Sequence, residues 1–209
     1  MTYCLGILLP QGLVLASDSR SNAGVDQVAR VRKFDLFTLP GNRVIAILSA
    51  GNLATTQAVI SELRGAAGSG RPDDLNAIHS MFEAARIVGD KLRQTIARDG
   101  ASVQPYGDPS GSFLVGGQIA GENCRLFEIY SAGNFIEASP RSVFLQIGET
   151  KYGKPILDRA LNPETSLAEA AKLALLSLTP PCAATFRSAC PSTCCATRRT
   201  ASPPPIWPC

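Results

Sequence analysis

Thr2-Tyr3-Cys4-Leu5-Gly6-Ile7-Leu8-Leu9-Pro10-Gln11-Gly12-Leu13-Val14-Leu15-Ala16-Ser17-Asp18-Ser19-Arg20 opens the chain behind Met1. Two apolar runs, residues 3–9 and 13–16, flank Pro10-Gln11-Gly12, which reads as a hairpin with a short turn. Such a hairpin brings Asp18 back beside Thr2. Removal of Met1 is chemically easy before a small residue and would leave a free α-amine next to the Thr2 hydroxyl. One residue then holds both nucleophile and base. An α-amine, with an ordinary pKa of about 7.7 to 8.0, suits general-base work near neutral pH. The branched methyl of threonine also limits χ1 and holds the hydroxyl in one rotamer.

Working outward, a polar loop is expected around residues 19–24. Residues 34–39, the turn Pro40-Gly41-Asn42 and residues 43–49 then read as a second hairpin, closed by Gly51. Lys33 stands at the start of that hairpin. On a strand adjacent to Thr2 its ammonium lowers the proton affinity of the Thr2 amine and hydroxyl, while Asp18 holds the lysine charged and oriented. The same two residues also suit a plain structural ion pair. Ser49-Ala50-Gly51-Asn52 follows an apolar strand and precedes a helical pattern. The Gly51 amide there either donates to a developing oxyanion or serves a tight turn.

Residues 53–64 have helical periodicity, with Asn52 as N-cap and Gly65 as stop. Pro72-Asp73-Asp74 is expected to open a longer helix through Arg98, with Leu75, Ile78, Phe82, Ala85, Val88, Leu92 and Ile96 on one stripe. His79 falls inside it, has no chemical partner in the sequence and is assigned no chemistry. Residues 112–119, 125–131, 135–138 and 143–147 are short strands expected to form a second sheet. Residues 153–161 and 166–178 read as helices, the second opened by a Ser166/Glu169 capping box. Strands, helices, strands, helices in that order imply an α+β domain of antiparallel sheets sandwiched by helices.

A length of 209 residues with 45% hydrophobic and 18% charged side chains fits one soluble domain. The net charge of +3 comes from Arg187, Arg198 and Arg199, leaving 17 basic against 17 acidic groups in residues 1–178. No basic cluster interleaved with aromatics remains, so a nucleic-acid partner is not expected. The first apolar run is too short to span a bilayer and lacks a basic flank, so no membrane association and a cytoplasmic location are expected.

Residues 179–209 hold seven of the 15 prolines, five of the seven cysteines and the single tryptophan, but no Gly, Asp, Glu or Lys. No packed element can be written through that stretch on composition, so residues 1–178 are read as the domain and 179–209 as an aberrant, disordered tail. Cys182, Cys190, Cys194, Cys195 and Cys209 match no usual zinc spacing, and no metal or other cofactor is expected. The bias toward Pro, Arg, Ala, Thr, Ser and Cys is that of a GC-rich gene read out of frame. Permitted codons from Leu178 onward, read one frame away, can spell a loop with Asp, Ser and Thr followed by an apolar strand; a natural disordered tail is the other reading.

Taken in order, Thr2, the segment from Gly12 to Arg20, Lys33 and Ser49-Ala50-Gly51 resemble the proteasome-type peptidase family, over about residues 1–178. Ser21-Asn22-Ala23-Gly24 and the segment from Leu48 to Gln57 are particularly like a bacterial branch of it. The resemblance implies a four-layer αββα sandwich of the N-terminal nucleophile type. It implies a Thr2 nucleophile supported by Asp18 and Lys33, an oxyanion donor at Gly51, and an extended peptide or unfolded protein held along the Asn22 backbone and the Ser49 to Gly51 edge. It also implies a homo-oligomer, with any unfoldase partner unidentified. Glu149 stands where many members carry serine, and Thr179-Pro180-Pro181 where the family has an aspartate and a serine. That departure implies that C-terminal strands are missing, and it leaves open an inactive or purely structural subunit. A small-amide hydrolase of the same N-terminal chemistry is the other alternative.

Overall fold

The computed structural model describes residues 2–22, 28–183 and 192–198, and the side chains of residues 2–19 and 31–178. Strands β1 (Tyr3–Leu9) and β2 (Gly12–Asp18) form the expected hairpin, with Cys4 opposite Ser17 and Leu9 opposite Gly12. Both strands are apolar on both faces because layers cover the sheet from either side. The stretch expected to be a loop instead carries a small hairpin, β3 (Arg20–Asn22) with β4 (Val28–Arg30). Its polar residues gave no apolar run to read.

Strands β5 (Phe34–Leu39) and β6 (Arg43–Gly51) make the second hairpin, and β6 continues to Gly51. Beyond β6 the sheet is extended by β7 (Gly111–Ile119), β8 (Arg125–Ile129) and β9 (Phe135–Glu137), giving five strands in sequential order. The fourth strand of the expected second sheet, β10 (Phe144–Gly148), crosses instead to the first sheet and pairs antiparallel with β1. Alternation marks a strand but does not say which edge receives it, and that is why the grouping by sequence order fails here.

The first sheet has the order β10-β1-β2-β11, where β11 is Ser192–Arg198. A strand through part of the tail departs from the expectation that no packed element can be written there. Ser192 lies opposite Asp18 and Arg198 opposite Gly12, so the edge of β2 is covered. Small and β-branched residues such as Thr193, Cys194, Cys195 and Thr197 suffice for an edge strand without a long apolar run. The other tail residues, 184–191 and 199–209, lie outside the described residues.

Helix α1 (Leu53–Ala66) starts at Asn52, whose side chain accepts from the Thr55 amide, and it runs through Gly65 rather than stopping there. Helix α2 (Met81–Val103) begins at Ser80, not at Pro72, and continues past Gly100. The residues before it are held in turns. The Asp74 carboxylate accepts the amides of Gly68, Gly70 and Asn76, and the buried Arg43 guanidinium donates to the Leu75 and Ile78 carbonyls. Leu75 and Ile78 are buried without being helical, Phe82 is exposed, and His79 lies exposed ahead of the helix. Helix α3 (Lys154–Ala160) precedes α4 (Leu167–Ala183), where Ser166 and Glu169 form the expected capping box.

The layers follow from what is buried together. Helices α1 and α2 pack on the five-stranded sheet through residues such as Val59, Leu63, Val88, Phe113 and Phe127. Cys4, Leu15, Phe34, Leu48, Leu114 and Leu126 fill the space between the sheets. Helices α3 and α4 cover the other side through Leu157, Ala170, Ala174 and Leu178, against Tyr3, Leu5 and Val14. Each fully buried large side chain contributes roughly 1.5–3 kcal/mol. The result is an αββα sandwich with two antiparallel sheets and, among the described residues, four helices. No described helix is long and apolar enough to cross a membrane.

Candidate active site

The first residue of the domain, the last residue of β2 and the residue before β5 meet at one end of the sandwich. Lys33 Nζ donates to Thr2 Oγ1 at 2.8 Å and to both Asp18 oxygens at 2.9 and 3.1 Å. Lys33 is 5% and Asp18 8% exposed, so the pair works in a poorly solvated setting where an ion pair persists only with good geometry and further hydrogen bonds. The Tyr3 amide supplies one such bond, donating to Asp18 Oδ1 at 2.9 Å. The hairpin register therefore fixes Asp18, Asp18 orients Lys33, and Lys33 aims its charge at the Thr2 hydroxyl.

Thr2 is also held through its backbone. The Glu149 amide donates to the Thr2 carbonyl at 2.7 Å, and Gly148 adopts a left-handed φ of +89° beside it. A Cβ on Gly148 would lie 2.0 Å from the Thr2 carbonyl oxygen, so only glycine permits this approach. Sequence reasoning noticed Glu149 as a departure in side chain and overlooked the backbone contact. The glycine directly after the β10 run was the available signal.

Gly51 lies at the far end of β6 with φ of +103°. Alternate amides of a strand point to opposite neighbours. The Ser49 amide donates to the Lys33 carbonyl on the β5 side, and the Asn52 amide to the Ser110 carbonyl on the β7 side. The Gly51 amide therefore faces the same way as that of Ser49, toward the side where Lys33 lies. Ser49 is already engaged: its amide by Lys33, its carbonyl by the Cys4 thiol at 3.5 Å. The next backbone groups of β6 on that side are those of Gly51. Asn22 ends β3, opposite Val28, and its side chain lies outside the described ones.

Two further side chains lie under the cluster. Burial pushes the Cys4 thiol well above its ordinary range, with the Asp18 charge adding to the rise and Lys33 opposing it. Burial also pushes the Tyr3 hydroxyl up to about 12, offset in part by its hydrogen bond to Ser177. Among the described residues no cluster of three His, Cys, Asp or Glu side chains is placed to hold a metal ion. The side chains of Cys182, Cys190, Cys194, Cys195 and Cys209 are outside that set.

Two antiparallel sheets between helix pairs, with the strand that follows Thr2 in the first sheet, define the N-terminal nucleophile fold in its proteasome-like form. The chain belongs to the proteasome subunit family, whose model matches residues 2–183. Among solved structures it is similar to Anbu (ancestral beta-subunit) from Yersinia bercovieri, with 42% identity and a TM-score of 0.87 over 94% of this chain and 81% of that one. It is similar also to the subunit in the helical assembly of the Anbu complex from Pseudomonas aeruginosa, with 41% identity and a TM-score of 0.90 over 97% and 84%. Anbu from Hyphomicrobium sp. strain MC1 gives 42% identity and a TM-score of 0.80 over 94% and 81%. A search of curated proteins gives no match.

Proposed function

We propose that the chain is a threonine-type endopeptidase subunit that cleaves extended or unfolded peptides within a homo-oligomer. The observation that carries the reading is Lys33 Nζ bridging Thr2 Oγ1 and the Asp18 carboxylate. With Met1 removed, the Thr2 α-amine takes the hydroxyl proton as Oγ1 bonds to the scissile carbonyl carbon, and the Lys33 charge favours the developing alkoxide. The Gly51 amide donates to the oxyanion. Collapse breaks the C–N bond, and the α-ammonium gives its proton to the leaving amine. Water then attacks the ester, its proton passing to the same amine, and the acid departs with Thr2 Oγ1 restored.

The substrate backbone adds as a strand from Gly51 onward, opposite Asn22. The helical assembly of the relative from Pseudomonas aeruginosa supports an oligomeric setting for this chain. A threonine-directed β-lactone tests the reading by intact mass. One adduct on Thr2 of a chain lacking Met1 is expected, and retained Met1 or an unmodified Thr2 overturns it. A second reading, a non-catalytic subunit kept for assembly, is favoured by one observation. The helix α4 runs on to Ala183 through Pro180 and Pro181, where the family resemblance implies an aspartate and a serine near the nucleophile.

A further inference from the structure

Three successive carbonyls beside β7 are all held by the opening of α1. The Asn52 side chain donates through Nδ2 to the Asp108 carbonyl at 3.0 Å, Thr55 Oγ1 donates to the Pro109 carbonyl at 3.0 Å, and the Asn52 amide donates to the Ser110 carbonyl at 2.8 Å. The Asp108 carboxylate closes the turn on itself. It accepts the Ser110 amide at 2.9 Å and the Ser110 hydroxyl at 2.6 Å, and these bonds hold its pKa below the ordinary carboxylate range.

This turn lies directly against Gly51. A Cβ built on Gly51 would meet the Ser110 carbonyl oxygen at 2.6 Å and Gly111 Cα at 2.9 Å. The left-handed φ of Gly51 is therefore matched to the position of Ser110, and the peptide plane carrying the Gly51 amide is bracketed by the Ser49 bond on one side and the Asn52 bond on the other.

We propose that Asn52 and Asp108 are positioning residues for the proposed peptidase reaction: through the turn at Asp108, Pro109 and Ser110 they hold the Gly51 amide in its oxyanion-binding direction. The inference rests on the reading of Thr2 as nucleophile and Gly51 as oxyanion donor. Asn52 also caps α1 through its Oδ1, which accepts from Thr55. A variant that keeps the cap and loses the donor separates the two roles. Asn52→Ser does so, because serine caps as well as asparagine and cannot reach the Asp108 carbonyl. Asp108→Ala removes the clasp on Ser110 from an exposed position.

The test compares two probes on the full-length oligomer, reading Thr2 adducts by intact mass. A β-lactone places negative charge on the attacked carbonyl oxygen. A peptide vinyl sulfone accepts Oγ1 at its alkene carbon and forms no carbonyl oxyanion. Asn52→Ser and Asp108→Ala should each slow lactone labelling by about tenfold or more, short of the roughly 10²-fold or greater loss on removing a donor outright. Vinyl sulfone labelling should stay within about twofold, and the double variant should fall little further, because both act through one turn. Equal loss with both probes, or no loss with either, overturns the proposal while the peptidase reading stands. An unsubstituted chain that takes up neither probe overturns both.

Discussion

The Cys4 thiol meets the Ser49 carbonyl at 3.5 Å, linking the strand that begins behind Thr2 to the strand that ends at Gly51 across the space between the sheets. Cys4 is fully buried, and burial pushes its thiol above the ordinary range. A thiol in that state is unreactive because the thiolate is the nucleophile. Iodoacetamide at pH 8 should leave Cys4 unmodified in the folded protein and modify it in denaturant, read by peptide mapping. Prompt labelling of Cys4 in the native state would show that the two strands part readily.

Lys33→Met removes the ammonium between Thr2 and Asp18. Labelling of Thr2 by a β-lactone should fall by about 10²- to 10⁴-fold, the span of a lost proton-handling group. Stability should fall by about 3 kcal/mol, because the Asp18 carboxylate is left buried without its counter-ion. Adding Asp18→Asn should restore much of the stability, read as Tm, and none of the labelling. Restoration of both would make the pair purely structural.

Gly148→Ala drives a Cβ into the Thr2 carbonyl and strains a left-handed residue. The chain must shift at Thr2. A loss of roughly 2 kcal/mol in stability is expected, and with Thr2 as the proposed nucleophile a misplacement of about 1 Å there is worth up to ~10²-fold in rate. Thr2 labelling that survives unchanged in a folded Gly148→Ala protein would disprove the tie between Glu149 and Thr2.

Tyr3→Phe deletes the buried hydroxyl that donates to Ser177 and should cost about 1 kcal/mol at pH 7. The alkaline limb runs the other way. The Tyr3 hydroxyl is raised to about 12 in the fold from 10.0, so the unfolded chain ionises first and the native protein loses stability as pH climbs from 10 toward 12. The loss amounts to roughly 2 kcal/mol across that window, at about 1.4 kcal/mol per pH unit. Denaturant midpoints of the two proteins should therefore converge and cross near the middle of the window. Parallel curves would mean that Tyr3 does not titrate as a buried group.

The hairpins, both outer helix pairs and the return of Asp18 beside Thr2 were legible because each rests on local pattern or on hairpin register, whereas Lys33 reaches them from ahead of β5 in the other sheet and not from a strand adjacent to Thr2. Two apolar runs about one short turn can bring Asp18 back to only one place. What was not legible is long-range. The pairing of β10 with β1 rather than β9 depends on which edge is free, and the late start of α2 depends on Asp74 collecting three amides that no periodicity announces. The edge strand Ser192–Arg198 escaped because composition was taken as the measure of strand formation, whereas pairing to an established neighbour requires little apolar content. At the site, the backbone contacts of Gly148 and Ser110 escaped for the same reason: they belong to residues far away in sequence.

The bond from the Glu149 amide to the Thr2 carbonyl joins two residues nearly 150 positions apart in sequence. Until β10 has emerged from the ribosome and laid itself along β1, nothing in that strand can fix Thr2. A nascent chain therefore carries Thr2 before the contact that holds its backbone can form, and that hold is timed by translation of the rest of the domain.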